Sequence, residues 1–279
     1  AALIALVLFV AIGGIIPSLP DGRLHLYVLD VGQGNALLLR TPQGRLVLVD
    51  GGSDPLLLTS RLGQFLPFWR RRIDLIIATH ADSDHLTGLV PMLRRYRVEQ
   101  VLESPFMSPS PLVEAWRKAL AQAQLTPTVA VRGMRITMGA DGAIEVLHPP
   151  PGLERARNDN AASVALRVTL GRCHMLLTAD VDAEVEREWL AIGLPLQATI
   201  LQVAHHGAGN ASSGAFLAAV NPQVALISVG AENRFGHPHP ETLERLEAAG
   251  AHVLRTDREG TLEVITDGTR IWIKTHGAR

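Results

Sequence analysis

The sequence predicts a mixed α and β domain in which sheets pack as a sandwich covered by helices. Three observations carry that expectation. From Leu24 onward, short apolar runs rich in Val, Leu and Ile are punctuated by Gly, Pro and Asp turns. The early runs follow one another through tight turns such as Pro42-Gln43-Gly44, as consecutive hairpins do. Helical patterns appear mainly after Asp50, where they alternate with further strands, an order that suits sheets flanked by helices.

Each element follows from its local pattern. Strands are predicted over Leu24–Val31, Ala36–Arg40, Leu46–Val49, Asp74–Thr79, Val98–Leu102, Ile144–Leu147, Val164–Leu170, His174–Thr178, Thr199–Ala204, Val224–Val229 and Leu262–Ile265. Helices are predicted over Leu56–Phe65, Leu86–Arg95, Leu112–Gln122, Ala183–Leu190, Ser213–Val220 and Glu241–Ala249. No internal repeat is visible.

Composition bounds the function classes. A chain of 279 residues with 47% hydrophobic and 19% charged residues has the make-up of a globular protein with ample core, which excludes pervasive disorder. The formal net charge of -1 gives no global basic field to recruit nucleic acid. Arginines bunch locally at Arg70, Arg71, Arg72 and at Arg94, Arg95, Arg97, and they read as solvated edges, with a binding patch as the alternative. The lone Cys173 excludes an internal disulfide framework and a cysteine-rich zinc site, and reads as a buried strand thiol.

The opening stretch, Ala1 to Ile16, is uncharged and apolar and is closed by Pro17 and Pro20. It falls short of the roughly 20 residues of a complete bilayer crossing, so it reads as the tail of a transmembrane helix. A buried core helix is the alternative, and a signal peptide fits less well because no positively charged region leads it.

The chemistry concentrates where the clearest buried strand stops. Ile73-Asp74-Leu75-Ile76-Ile77-Ala78-Thr79 runs into His80-Ala81-Asp82-Ser83-Asp84-His85, which places His80, Asp82, Asp84 and His85 in one short turn. In such a segment His80 and Asp82 can face one side while Asp84 and His85 project from the following turn, an arrangement that suits two adjacent metal ions in one cleft. A single His or Asp at a strand end is more often a turn or cap residue. Four packed together would repel one another and lose solvation unless a cation joined them. Oxygen donors without sulfur, with few imidazoles, suit Mn²⁺ or Zn²⁺.

These residues resemble the metallo-β-lactamase signature of His, any, His, any, Asp, His, with Asp82 where the second His usually sits. The ComEC family of DNA-uptake proteins is similar there, and further segments match it in order. Leu29-Asp30-Val31-Gly32-Gln33-Gly34, Leu48-Val49-Asp50-Gly51-Gly52, Ala204-His205-His206-Gly207, Gly236-His237-Pro238-His239-Pro240 and Thr256-Asp257-Arg258-Glu259-Gly260 resemble its successive motifs from about Leu24 to Ile265. The resemblance implies an α/β (α+β) metallo-β-lactamase fold, a four-layer αββα sandwich. Residues 1–20 would then be the end of a transmembrane helix and a linker, and 21–279 a metallo-β-lactamase-like hydrolase domain.

The resemblance also assigns roles. Asp180, in Leu177-Thr178-Ala179-Asp180, matches the acidic residue that bridges two metals, with a helix N-cap as its other role. One of His205 and His206 completes the second metal. Both would serve in the same way only if the chain turned between them, because adjacent strand residues face opposite ways. His237 is expected to contact a scissile phosphate or protonate a leaving group, the alternative being a surface loop histidine. Asp84, His206 and His237 are thus the expected catalytic residues, and His80, Asp82, Asp84, His85, Asp180, His205 and His206 the expected ligands of two divalent ions, Mn²⁺ or Zn²⁺. Asp50 either orients a ligand or shapes a turn. His25, His148, His174, His252 and His276 read as structural.

Two departures stand out. The superfamily's further metal-binding His is replaced by the polar stretch Asn158-Asp159-Asn160 and Ser163, and the usual Asp after Gly-Gln-Gly is Asn35. With the ComEC pattern otherwise intact, the resemblance implies a metal-dependent DNase acting on incoming DNA during natural transformation, on the outer side of the cytoplasmic membrane. Its partners would be single-stranded DNA, the membrane through the N-terminal segment, the uptake channel and the competence machinery. The alternatives are hydrolysis of another phosphodiester or an ester, or a weakly catalytic DNA-binding or gating module.

Overall fold

The computed structural model describes residues 20–277. The expected membrane segment lies outside them. Among the described residues no helix is long and apolar enough to cross a membrane.

Two sheets face each other. The first contains eight strands: β1 (Leu24–Val28), β2 (Leu37–Arg40), β3 (Leu46–Val49), β4 (Arg72–Ala78), β5 (Arg97–Glu103), β6 (Thr128–Val129), β14 (Thr261–Thr266) and β15 (Ile271–His276). Their spatial order is β15-β14-β1-β2-β3-β4-β5-β6. The second holds β7 (Arg135–Thr137), β8 (Gly142–His148), β9 (Ala165–Leu170), β10 (Cys173–Leu177), β11 (Ile200–Gln202), β12 (Val224–Ile227) and β13 (His252–Arg255), in the order β13-β12-β11-β10-β9-β8-β7. The opening strands pair antiparallel, as their tight turns require, whereas β3-β4-β5 and β10-β11-β12-β13 are parallel.

Helices cover both outer faces, which makes the expected four layers. Over the first sheet lie α1 (Pro55–Phe65), α2 (Ser83–Leu86), α3 (Leu89–Arg95) and α4 (Pro111–Gln122). Over the second lie α5 (Ala183–Ala191), α6 (Gly214–Val220) and α7 (Pro240–Ala248), and the short α8 (Thr256–Glu259) links β13 to β14. Strand alternation feeds two layers at once: Leu75 and Ile77 of β4 enter the sheet-to-sheet core, while Ile76 and Ala78 pack under the helices. Trp116 anchors the first helical layer and Trp189 the second, both fully buried. Truncating either to Ala would cost about 3–5 kcal/mol.

Several helix starts are capped by side chains. Asp54 accepts from the amides of Leu56 and Leu57 ahead of α1, Ser110 from Val113 ahead of α4, and Asp182 from Glu184 and Val185 ahead of α5. The single helix expected over Leu86–Arg95 is instead two, broken at Gly88. The Gly51-Gly52 turn crosses it there: Gly88 N–H donates to Gly52 O, and a Cβ on Gly88 would sit 1.9 Å from Gly51 O. The first strand ends at Val28 rather than Val31, because the chain bends through Asp30 and the left-handed Gly32. Strands β6, β7, β13 and β15 were not expected; they are short or lie at sheet edges, where exposed residues blur the alternation.

Candidate metal centre

The parallel strands of both sheets end on one rim of the sandwich, and every expected site residue leaves the chain there. His80 follows β4, Asp180 follows β10, and His205 and His206 follow β11. Their side chains converge on the Asp180 carboxylate. His85 Nε2 lies 3.2 Å from Asp180 Oδ1, while the Nε2 atoms of His206, His205 and His80 lie 3.5, 3.8 and 4.0 Å from Oδ2. Two groups have donor atoms close enough to share a cation: His80, His85 and Asp180, and Asp84, His85 and His206. Asp84 Oδ2 is 3.3 Å from His206 Nε2. Asp82 stands at the open side, half-exposed, with Oδ2 3.5 Å from His80 Nε2.

Each half of the site is held differently. On the first sheet, Asp50 receives His85 Nδ1–H at 2.8 Å and also the backbone N–H and hydroxyl of Thr79, at 2.9 and 2.7 Å. Thr79 Oγ1 in turn lies 2.9 Å from His80 Nδ1. Asp50 thus holds the His85 ring, and its left-handed backbone also opens the Gly51-Gly52 turn. On the second sheet the Gln202 side chain accepts from the Thr178 and Ala179 amides ahead of Asp180, and backbone geometry sets the two histidines. Ala179, His205 and His206 all have φ between 48° and 54°. This left-handed turn swings both imidazoles toward Asp180, which a continuous strand would forbid. His206 Nδ1 donates to Ser228 O at 2.8 Å, and Ser228 Oγ donates to Gly34 O. The cap of α5 belongs to Asp182, which leaves Asp180 to the site.

His237 lies beside this cluster. Its ring stacks near that of His206, with centroids 6.3 Å apart, and its loop is clamped by Asn233, which bonds both its backbone N–H and its carbonyl. Burial, reinforced by the neighbouring His206 and His205, pushes the His237 imidazole down to about 4. Around Asp180 the pattern reverses. Burial opposes its charge, yet His85, His206 and His80 hold its carboxyl well below the usual range. Burial likewise opposes charge on His85, but Asp180 and Asp50 raise it well above an ordinary histidine.

The donor set fits a divalent cation. His80 Nε2 is fully buried without a hydrogen-bond partner, and it points into a cluster of nitrogen and carboxylate donors whose protons and charges a cation would replace. His80, His85, Asp180, Asp84 and His206 would hold it, with Asp82 and His205 within reach from the more open sides.

Several supports were invisible in the sequence. Gly34 is needed because a Cβ there would lie 2.0 Å from Asp84 O. Thr79 was placed only as a strand end. The Ser228 carbonyl has no residue-type signature at all, and Asn233 could have been suspected only from its place near His237. Ser163 is fully buried with an unpartnered hydroxyl, and the bond from Val164 N to Thr79 O brings it beside the end of β4. The structural readings of His25 and His148 hold: His25 bonds Glu263, and His148 accepts from Trp189 while facing Ala161 O.

The comparisons agree with this architecture. The sequence profile of the metallo-β-lactamase superfamily matches residues 29–231. ComE operon protein 3 of Bacillus subtilis is 28% identical over 258 residues, covering 85% of this chain and 32% of that protein. Competence protein ComA of Neisseria gonorrhoeae is 29% identical over 248 residues, covering 88% of this chain and 33% of that protein. The chain thus spans about a third of the length of these relatives. Among solved structures, the metallo-β-lactamase fold protein YhfI from Bacillus subtilis superposes with a TM-score of 0.54 at 14% identity, over 89% of this chain and 99% of that one, a likeness of fold alone. The chain belongs to the metallo-β-lactamase superfamily and, within it, to the metallo-β-lactamase domains of ComEC-type competence proteins.

Proposed function

We propose that this domain is a metal-dependent phosphodiesterase that cleaves DNA arriving through a competence channel, acting on a single strand outside the cytoplasmic membrane. The observation that carries the hydrolase reading is one buried carboxylate, Asp180, within 4.0 Å of four imidazoles and beside the unpartnered Nε2 of His80. Two divalent ions, Mn²⁺ or Zn²⁺, bound there would acidify a coordinated water and neutralise charge on a phosphoryl group. The protein's own contribution is to fix donors. Asp50 and Thr79 aim His85 and His80, the Ser228 carbonyl aims His206, and His85 is shared by the two donor groups. His237, kept neutral by burial, is free to accept or relay a proton at its imidazole near a substrate leaving group.

The DNA substrate and the transport partners rest on the competence relatives rather than on the cleft. A non-catalytic DNA-binding or gating role is the second reading, favoured by the buried Asn35, which stands where ComEC relatives usually carry an Asp. One experiment separates them: elemental analysis after loading with Mn²⁺ or Zn²⁺, then cleavage of single-stranded and duplex DNA. Two ions per chain and metal-dependent cutting are expected. A metal-loaded protein that binds DNA without cutting it establishes the gating role, and a chain that retains no metal removes the hydrolase.

A further inference from the structure

The end of the sandwich opposite the metal centre carries a different chemistry. Strand β4 runs from Arg72 to the metal rim at His80, a separation of about 26 Å at the usual rise per residue. Around its starting end an open groove of about 700 Å³ is lined by Arg40, Arg45, Arg70, Arg71, Arg72 and Arg97. Asp74 is the carboxylate in that lining, and it is bonded to Arg45 and Arg72. Glu99, just outside, pairs with Arg72 and Arg97. Asp74 and Glu99 offset only part of the charge of Arg45, Arg70, Arg71, Arg72 and Arg97, and Arg70 Nε is buried with no partner. Beside the arginines, Phe68 and Trp69 stack edge to face and stand 80% and 47% exposed. Trp69 also lines the groove, as does Pro20.

We propose that this groove is a headgroup-binding face that seats the domain on an anionic phospholipid surface. The proposal rests on reading the apolar run of residues 1–16 as membrane-embedded. In sequence, only Pro17-Ser18-Leu19 separates that run from Pro20, which lines the groove. An arginine cluster with protruding aromatic side chains, tethered that closely to an apolar segment, has the composition of a membrane interface. Seated this way, the domain turns its metal rim away from the bilayer toward the aqueous side.

The test compares binding of the full chain to phosphatidylcholine vesicles with and without phosphatidylglycerol. The apolar run serves both, so the ratio of the two partition coefficients reads the groove. Each arginine near an anionic surface contributes about fivefold, so Arg71→Gln with Arg72→Gln should lower the ratio about 25-fold. Arg94→Gln with Arg95→Gln removes the same charge from the exposed end of α3, outside the groove, and should leave the ratio unchanged. Bromine-labelled lipid should quench Trp69 fluorescence, a component that Trp69→Phe deletes. A ratio equally insensitive, or equally sensitive, to both double substitutions overturns the proposal. Equal binding to both vesicles leaves the anchor and removes the groove, whereas binding to neither removes the membrane reading itself. Loss of single-stranded oligonucleotide binding in Arg71→Gln/Arg72→Gln, with the vesicle ratio intact, would make the groove a nucleic-acid track and also overturn it.

Discussion

The two halves of the metal centre reach the same carboxylate by opposite means. The first-sheet half draws His80, Asp82, Asp84 and His85 from one contiguous loop, and side chains hold it: Asp50 and Thr79 fix the imidazoles. The second-sheet half draws Asp180, His205 and His206 from the ends of two strands, and backbone holds its histidines, through left-handed φ at both and the Ser228 carbonyl, while the Gln202 side chain steadies the turn ahead of Asp180. The difference teaches where mutation can act. A side-chain support can be deleted by substitution, whereas a backbone support can only be strained or shifted.

Asp180 comes from the second half but lies within 4.0 Å of His80 and His85 of the first, so its loss should be the most damaging. Asp180→Asn keeps the size and removes the charge that four imidazoles surround. Metal content should fall for both ions, and cleavage by at least about a thousandfold, with the fold retained. Full activity in Asp180→Asn would show that the halves work independently.

The supports come next. Asp50→Asn leaves His85 without its anionic acceptor and should weaken metal binding by about 10–100-fold, read by competition with a chelating dye. Ser228→Ala, in the other half, spares the carbonyl that holds His206 and removes only the hydroxyl bond to Gly34 O. Its cost should be about 1 kcal/mol of stability with metal affinity little changed. If Ser228→Ala matched Asp50→Asn in affinity, the distinction between side-chain and backbone support would collapse.

That distinction also explains what the sequence could disclose. The His80–His85 loop was legible because its donors are consecutive and follow an unmistakable apolar strand. Asp180 and the His205-His206 pair became legible through resemblance, and the turn that lets both histidines face inward was not, since nothing in Ala204-His205-His206-Gly207 dictates left-handed φ at two histidines. The break at Gly88 was missed because the helical pattern is continuous and the cause, the Gly51 turn, is distant in sequence. Edge strand β15 has half-exposed Ile271, Trp272 and Ile273, so its pattern lacks a buried face.

A smaller effect is expected from pH. In the metal-free protein His85 and His206 are raised above the ordinary histidine value, for although burial lowers both, nearby carboxylates outweigh it. A metal ion must displace those protons, so affinity should increase as pH rises through their titration, with proton release on binding. Isothermal titration in buffers of different ionisation enthalpy measures that release, and a pH-independent affinity with no protons released would mean that neither imidazole ligates.

The subtlest comparison is within the first half, at Asn35. Its side chain is buried, its Oδ1 has no partner, and it packs in the same closely filled region as Asp50, Thr79, Ala179 and Gln202. Asn35→Asp would introduce a second carboxylate into the buried region that already holds Asp50. Two buried carboxylates without a cation repel, so one of them must take up a proton or the fold must lose stability. The apo melting temperature should therefore fall by a few degrees, as expected for a loss of about 1 kcal/mol, and metal loading should restore more than it adds to the wild type. Cleavage should be equal to or above that of the wild type if the added charge strengthens the cation's hold. A metal-induced gain in melting temperature no larger than the wild type's would mean that position 35 does not sense the metal. Asn35 would then be a packing residue of the first half rather than a replaced ligand.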